Sequence, residues 1–254
     1  MTELLAGYDS GLIVIMTLTF LLAGTVKGIT GLGLPTVSLA LLTVAIDLTS
    51  AMALLLIPSL VTNLWQAAVG GHGTAILKRL WPFLLPATLL VWPGSLALQH
   101  LDLKLLSALL GVLLASYALI NLSGLKPSLP LRHQTWGGAV IGAINGILTG
   151  MTGSFVIPGV IYLQAIGLPR DALIQAMGIL FSLSTLALAL ALQSNDLLSP
   201  QQAGISALAV IPALLGMVVG QAIRQRLSET WFKRVFFCAL LLLGGYIISH
   251  ALLR

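Results

Sequence analysis

The chain has few charged residues and a single cysteine, and both scarcities limit the class of protein it can be. Only 7% of its 254 residues are charged, while 58% are hydrophobic. A soluble domain carries about 25% charged residues, because its whole surface faces water. The lone Cys238 excludes an internal disulfide. Since the charges come in small groups between long apolar runs, the sequence predicts an integral membrane protein of many helices.

The motifs of several other protein classes are missing as well. There is no G-x-x-x-x-G-K-[ST] loop for ATP, no twin N-P-A of water channels and no T-V-G-Y-G filter. An H-E-x-x-H, a G-x-S-x-G or two acids at helical spacing would indicate an enzyme, and none occurs. The net charge of +5 comes from basic residues at segment ends, without the interleaved aromatics of a nucleic-acid site. We therefore expect no catalytic residues, cofactor, metal site or nucleic-acid partner.

Apolar segments follow one another along the chain. A straight span needs about 20 residues, and the segments that reach or nearly reach this length are 48–70, 81–98, 103–122, 172–193, 203–221 and 235–252. The shorter segments form two adjacent pairs, 11–26 with 34–46 and 136–149 with 155–168. A glycine-rich break joins the members of each pair. We therefore expect each pair to be a helical hairpin that enters the membrane and returns to the same side.

The two glycine-rich breaks resemble each other. Residues 28–35 read GITGLGLP and residues 150–158 read GMTGSFVIP, so both contain G-x-T-G followed by a proline. The offset of 123 positions between the two prolines also relates Ser59 to Ser182 and Thr62 to Thr185. The sequence therefore predicts an internal duplication, with transmembrane repeats at 1–122 and 136–254 joined by a linker at 123–135.

The basic residues orient the segments, because loops rich in Lys and Arg usually lie on the cytoplasmic side. The basic loops hold Lys78 and Arg79, then Lys126 and Arg132, then the cluster from Arg224 to Arg234. With these loops and the linker cytoplasmic, the first hairpin enters from outside and the second from the cytoplasm. The predicted fold is an all-α polytopic membrane protein of two inverted repeats. Each repeat is a re-entrant hairpin of short broken helices plus three transmembrane helices, as in many secondary transporters.

The breaks mark a candidate binding site. Non-helical backbone inside a membrane survives only where it is buried in protein or lines a wet cavity. After each break a short helix starts near Pro35 or Pro158, and helix N-termini attract anions. We expect the two breaks to converge on one anion, with glycines allowing close approach and hydroxyl groups donating. The residues proposed for this role are Gly28, Thr30, Gly31, Gly33, Gly150, Thr152, Gly153 and Ser154. Tight helix packing through the glycines is the alternative interpretation.

A polar stripe on each central segment gives further candidates. Ser59, Thr62, Asn63 and Gln66 share one face of segment 48–70, and Gln175, Ser182 and Thr185 follow a similar spacing in segment 172–193. Such stripes face a cavity or bond to a neighbouring helix, and both interpretations stay open. We select Asn63, Gln66 and Ser182 as lining residues. Asn145, which precedes the second break, is expected to hold its shape.

Three ionisable residues lie near the breaks. Lys27 abuts the first break and either adds positive charge to the anion site or reaches back to the outer interface. Asp47 and Asp171 precede long segments and are expected to stabilise helix N-termini. They are also the only acids near the proposed core, so they are the candidate proton carriers if transport is coupled to protons.

The duplicated block is similar to that of the sulfite exporter TauE/SafE family of membrane permeases. The likeness rests on GTVKGITGLG at residues 24–33 with Pro35, and on residues 146–158 in the second half. The second block departs from the pattern at Ser154 and Phe155, where a glycine-rich pair is expected. The resemblance implies a permease of the bacterial inner membrane whose partners are the lipid bilayer and a small anion such as sulfite or an organosulfonate. It leaves a homo-oligomer open.

Two mechanisms are compatible with these features. The first is a secondary transporter that works by alternating access of the two halves, with proton coupling left open. The second is a passive anion channel, because paired half-helices also build pores. The direction of transport stays open in both.

Overall fold

The computed structural model describes residues 10–125, 127–224, 226 and 228–253, and this part of the chain is helical without a β-strand. The helices begin and end as follows: α1 Ser10–Thr30, α2 Leu34–Ala45, α3 Leu48–Ala68, α4 Gly73–Leu89, α5 Val91–Ser95, α6 Ala97–His100, α7 Leu103–Leu122, α8 Leu131–Thr152, α9 Gly159–Ala165, α10 Arg170–Ser194, α11 Pro200–Leu208, α12 Val210–Arg224 and α13 Glu229–Leu253.

Within the described residues, seven helical stretches are long and apolar enough to cross a bilayer. They are Ser10–Thr30, Leu48–Ala68, Gly73–His100, Leu103–Leu122, Arg170–Ser194, Pro200–Arg224 and Thr230–Leu253. Many large apolar side chains on their outer faces are exposed, including Trp65, Leu215 and Leu242, as expected of faces that contact lipid. The prediction of an all-α, multi-pass membrane protein is confirmed.

The prediction that both members of each hairpin are short is wrong for the first member. Segment 11–26 belongs to the 21-residue helix α1, and segment 136–149 belongs to the 22-residue helix α8. The first helix continues past Lys27 to Thr30. The Lys27 side chain is buried among other helices, so it does not mark the membrane surface. The second helix begins earlier, because polar residues such as Arg132 form its exposed first turn. Of the four hairpin members, only α2, with 12 residues, and α9, with 7, are short.

Glycines with positive φ separate the members of each hairpin. Gly31 and Gly33 lie between α1 and α2 with φ of 76° and 106°, and Gly153 follows α8 with φ of 72°. A side chain in this left-handed region collides with its own backbone, so these turns need glycine. The breaks therefore occur where the G-x-T-G motifs predict them.

Helices α3 and α10 form the buried centre of the bundle and run antiparallel. The side chain of Gln66, near the end of α3, donates to the Ile174 carbonyl near the start of α10 at 2.8 Å. At the other end of α3, the Ser50 hydroxyl accepts from Gln202 of α11, the helix that follows α10, at 3.4 Å. Together these contacts set the direction of the two central helices.

The first helix of each hairpin packs through glycines on a helix of the other half of the chain. A Cβ on Gly28 of α1 would lie 2.3 Å from the Met217 carbonyl oxygen of α12. A Cβ on Gly150 of α8 would lie 2.2 Å from the Val91 carbonyl oxygen of α5. Only glycine permits such close approach of two backbones. We call these two contacts the glycine seams.

The seams correspond in detail. Gly220 of α12 approaches the Thr25 carbonyl oxygen so that an added Cβ would lie 2.2 Å away. Gly94 of α5 approaches the Ile147 carbonyl oxygen in the same way, at 2.3 Å. Thr25 and Ile147 stand at the same position before their G-x-T-G motifs. Each motif thus serves as a packing surface at its first glycine and as a turn at its second.

Candidate functional site

Lys27 is buried in the interior of the helix bundle. Its side chain is 4% exposed, and its ammonium Nζ donates to the Thr62 hydroxyl of α3 at 3.0 Å and to the Asn63 side-chain oxygen. The ammonium therefore points toward the polar face of α3. The alternative in which Lys27 reaches back to the membrane surface is not what the structure shows.

No carboxylate of the described residues neutralises this buried charge. The side chains of Asp47, Asp102, Asp171 and Asp196 are all exposed. The hydrogen-bond partners of Lys27 are two neutral oxygen atoms. A buried cation is costly unless it is paired. Intramembrane charges are therefore functional candidates.

Helices α3 and α10 carry four buried donors that have no partner among the described residues. The Asn63 amide nitrogen and the Ser59 hydroxyl, one helical turn apart, make no hydrogen bond within the protein. On α10 the same holds for the hydroxyl groups of Ser182 and Ser184. Buried polar groups are nearly always satisfied, so these four are groups for which a ligand or water is expected.

The first break is held by its own threonine. The backbone nitrogen of Leu32 donates to the Thr30 hydroxyl at 3.1 Å, and that hydroxyl donates toward the carbonyls of Leu32 at 2.7 Å and Val26 at 2.9 Å. The hydroxyl proton is thus directed at the backbone of the break. The role of Thr30 as a donor to a substrate stays a prediction.

The second break repeats this arrangement. The backbone nitrogen of Ser154 donates to the Thr152 hydroxyl at 3.2 Å, and that hydroxyl donates to the Leu148 carbonyl at 2.7 Å. The Asn145 side-chain oxygen accepts from the Gly159 backbone nitrogen at 2.8 Å, which confirms that Asn145 holds the shape of the break. Thr149 adds a bond from its hydroxyl to the Ser154 carbonyl at 2.9 Å.

Residues from both breaks line one small cavity, which we call the inner cavity. Its volume is about 30 Å³, room for only one or two water molecules. From the first break it is lined by Thr30, Leu32 and Gly33, and from the second by Val156. The rest of its wall is Thr36, Tyr117, Phe181, Lys233, Phe236 and Phe237. Gly153 lies elsewhere, against Met52 and Leu39. Of the residues predicted for the site, Thr30 and Gly33 therefore line the inner cavity, and Gly153 does not.

Gln66 of α3 forms a hydrogen bond to the neighbouring helix α10, which is the alternative interpretation of the polar stripe. Its side-chain nitrogen donates to the Ile174 carbonyl, and the side-chain nitrogen of Gln175 donates to the Ala67 carbonyl, both at 2.8 Å. Gln66 is 9% exposed and Gln175 is 3% exposed. These amides join the end of α3 to the start of α10.

The two predicted proton carriers lie at helix starts. Asp47 accepts from the Ser50 backbone nitrogen at 2.9 Å and is the N-cap of α3. Asp171 is in the first turn of α10. Their predicted role at helix N-termini is confirmed. Both are exposed, and neither pairs with Lys27.

Several residues of the inner cavity were not predicted. Tyr117, Phe181 and Phe236 are aromatic residues in apolar runs, and nothing in their local sequence separates them from core residues. Lys233 belongs to a basic cluster at a segment end. Such a cluster predicts only how the segments are oriented in the membrane. Outside this cavity, Ser184 lies two residues from Ser182 and off the helical spacing of the stripe, so the sequence does not predict it.

The fold and the buried charge define a class: an all-helical, multi-pass membrane protein with an interior polar site. The family profile described as Sulfite exporter TauE/SafE matches residues 16–247, nearly the whole chain, and the chain belongs to this family. It is therefore a membrane transporter of the sulfite and sulfonate exporter type, and not an enzyme. Comparisons with curated proteins and with solved structures give no match.

Proposed function

We propose that the protein is a secondary transporter that moves sulfite or a small organosulfonate across the bacterial inner membrane by alternating access. The observation that carries the proposal is Lys27, a buried ammonium group that no described carboxylate neutralises. A small anion would supply the missing charge. The site would then centre on Lys27, Asn63 and Ser59, with Ser182 of the antiparallel helix α10 as a further predicted lining residue.

The hydrogen-bonding groups suit an oxyanion. Sulfite and sulfonates present three oxygen acceptors and no strong donor of their own when ionised. Lys27 can donate up to three hydrogen bonds, and its neighbours Thr62 and Asn63 use at most two of them. The Asn63 nitrogen and the Ser59 hydroxyl are further donors without a protein acceptor. Charge-assisted bonds of this kind are about twice as strong as neutral ones.

The helix arrangement supports two inverted repeats at 1–122 and 136–254, with the linker at 123–135. Helices α3 and α10 correspond in the repeat and run antiparallel, as an inverted pair must. At the glycine seams, the first helix of each half packs on a helix of the other half. Such reciprocal packing is expected when a two-fold axis relates the two halves. Inverted repeats of this kind underlie alternating access in many transporters.

The size of the inner cavity supports a conformational step. At about 30 Å³ it has room for only one or two water molecules, whereas a sulfur oxyanion has at least four heavy atoms. An anion that passes between the breaks therefore requires the lining helices to separate. This favours a carrier cycle over a permanently open pore.

Uptake by proteoliposomes tests the proposal. Radiolabelled sulfite and, separately, a sulfonate are presented with and without an imposed pH gradient. Saturable uptake supports a carrier, and a response to the gradient supports proton coupling, which would direct mutagenesis to Asp47 and Asp171. Flux that rises linearly with concentration would indicate the passive channel instead. No uptake of either anion by folded protein would contradict the proposed substrate class.

A further inference from the structure

We propose that Ser206 of α11 is a positioning residue for the interior anion site, and that it acts by fixing the direction of α3 at Pro58. Pro58 lies inside α3, and the buried donors of Ser59 and Asn63 follow it in the same helix. Ser206 belongs to the second half of the chain and is fully buried. The inference rests on the proposed function, since it assigns Ser206 to the same site.

Pro58 leaves a gap in the hydrogen bonding of α3. Proline has no backbone N–H, so the Leu54 carbonyl, four residues earlier, lacks the donor that any other residue at position 58 would supply. The proline ring also crowds that carbonyl, and helices bend at such places. Leu54 is fully buried, and an unsatisfied buried carbonyl is costly. The direction of α3 at this point therefore depends on a donor from elsewhere in the protein.

Ser206 fills this gap with one hydroxyl group. The hydroxyl donates to the Leu54 carbonyl at 2.8 Å and accepts from the Ile57 backbone nitrogen at 3.1 Å. One turn earlier in both helices, the side chain of Gln202 donates to the Ser50 hydroxyl at 3.4 Å. Helix α11 therefore runs parallel to the first part of α3 and supports it up to the proline.

The part of α3 that carries the site begins where this support ends. Ser59 is the residue after Pro58, and the Thr62 hydroxyl donates to the Pro58 carbonyl at 2.8 Å. The same hydroxyl accepts from Nζ of Lys27 at 3.0 Å, beside the side-chain oxygen of Asn63. A change of helix direction at the proline would thus move Thr62 and Asn63 relative to the ammonium group, and Ser59 with them.

The second half of the chain provides an internal comparison. At the repeat offset of 123, Phe181 takes the place of the proline, and α10 contains no proline. Helix α4 packs on α10 as α11 packs on α3. Ser206 and Leu80 correspond, because each stands fourteen residues before its seam glycine, Gly220 or Gly94. The half without the proline thus also lacks the hydroxyl group, as expected if the serine serves the proline.

Replacing the proline tests whether the serine serves it. In Pro58→Ala the new backbone N–H can donate to the Leu54 carbonyl, so the hydroxyl of Ser206 is no longer needed. Ser206→Ala should therefore have an effect in the wild-type chain and none in the Pro58→Ala chain. Ser38→Ala is the matched control. Ser38 is equally buried and donates at 2.7 Å to the Leu34 carbonyl of its own helix, where no proline removes a donor.

The direction of α3 is measured independently of transport. Trp65, beyond the proline, and Leu215 of α12 are both exposed, so Trp65→Cys and Leu215→Cys in a Cys238→Ser background accept spin labels for double electron–electron resonance. Ser206→Ala should shift or widen the distance distribution by about 1 Å or more, a misplacement that can cost a site up to about a hundredfold. In the Pro58→Ala background it should change nothing further. An unchanged distribution in Ser206→Ala would overturn the inference, whether or not the protein transports sulfite.

Uptake kinetics measure the effect on the site. Ser206→Ala should raise the KM for sulfite at least about fivefold, and Ser38→Ala should leave it unchanged. A smaller amount of folded protein lowers only the maximal rate, so the KM separates positioning from a loss of stability. If Ser206→Ala does not fold, the double variant with Pro58→Ala should fold, and its failure would overturn the inference.

The two proposals fail in distinguishable ways. An unchanged KM in Ser206→Ala, beside saturable wild-type uptake, would overturn the positioning role of Ser206 and leave the proposed function standing. A label distance that responds to Ser206→Ala in a protein without wild-type uptake would do the reverse: it would support the role of Ser206 in directing α3 and contradict the proposed function.

Discussion

The side chains of Gln66 and Gln175 bond in reciprocal fashion across the two central helices. Each amide nitrogen donates at 2.8 Å to a backbone carbonyl next to the other glutamine, that of Ile174 or Ala67. The oxygen of Gln175 also accepts from the His72 backbone nitrogen at 2.8 Å. One end of the central helix pair is thereby fastened, and opening this end in the proposed alternating-access cycle would require these bonds to break.

Gln66→Leu and Gln175→Leu should each loosen this end of the helix pair. Each substitution leaves a buried carbonyl without its donor, at a cost of about 1 kcal/mol. We expect lower thermal stability in detergent and faster thiol labelling of Thr185→Cys, a fully buried position about three turns deeper than Gln175. The labelling is measured in the Cys238→Ser background. Unchanged labelling in the double variant would show that the glutamines do not hold this end closed.

Lys27→Met should abolish transport without destabilising the fold. Truncating one partner of a buried charge pair costs about 2–5 kcal/mol of binding, so uptake should fall by at least about thirtyfold. The melting temperature should stay equal or rise, because the variant removes an uncompensated buried charge. Lys78→Met is the control, since Lys78 is exposed and should transport normally. A large fall in the melting temperature of Lys27→Met would instead assign Lys27 a structural role.

Asn63→Asp should inactivate the transporter by supplying an internal counter-ion. The new carboxylate has nearly the shape of the amide and lies where the Asn63 oxygen already accepts from Lys27. It would neutralise the ammonium and repel an anion, so transport should fall at least about tenfold with no loss of stability. Asn63→Ala, which removes the amide without adding charge, should retain more activity. Equal activity of wild type and Asn63→Asp would contradict an anion site at Lys27.

Gly153→Leu should abolish transport while the protein still inserts into the membrane. The substitution forces a left-handed φ on a side chain and places its Cβ 2.7 Å from the Met52 side chain. Gly31→Leu is the matched control, because its φ is also positive but no atom lies within 4 Å of the added Cβ. It should show only the backbone strain, about 1–2 kcal/mol. Both are compared by membrane content, thermal unfolding and uptake, and normal flux in Gly153→Leu would refute the need for glycine there.

The sequence predicted the features that depend on local chemistry. Glycine at Gly31, Gly33 and Gly153 and proline at Pro35 and Pro158 have strong local preferences, so both breaks and the starts of α2 and α9 were found. Asp47 was predicted as an N-cap for the same reason. The sequence predicts α1 too short because Lys27 resembles a segment boundary, and α8 too short because its first turn is polar. A buried lysine interrupts an apolar run in the sequence without interrupting the helix.

The features that depend on distant contacts could not be predicted. The polar stripe of α3 was correct, but sequence spacing does not show that Asn63 meets Lys27 while Gln66 bonds to α10. Lys233 and Phe237 reach the breaks only because α13 packs beside α7 and α2. The glycines of the seams were attributed to the site or to packing, and spacing alone could not name their partner helices.

The glycine seams have a consequence for how the protein is made. Helix α1 precedes α12 in the chain by about 180 residues, yet it packs on the surface of α12. Until α12 is synthesised, the face of α1 with Gly24 and Gly28 must rest against lipid or an insertion factor. A nascent chain that stops before α12 would leave this face without its partner. The seam between α1 and α12 can therefore form only after α12 has been synthesised.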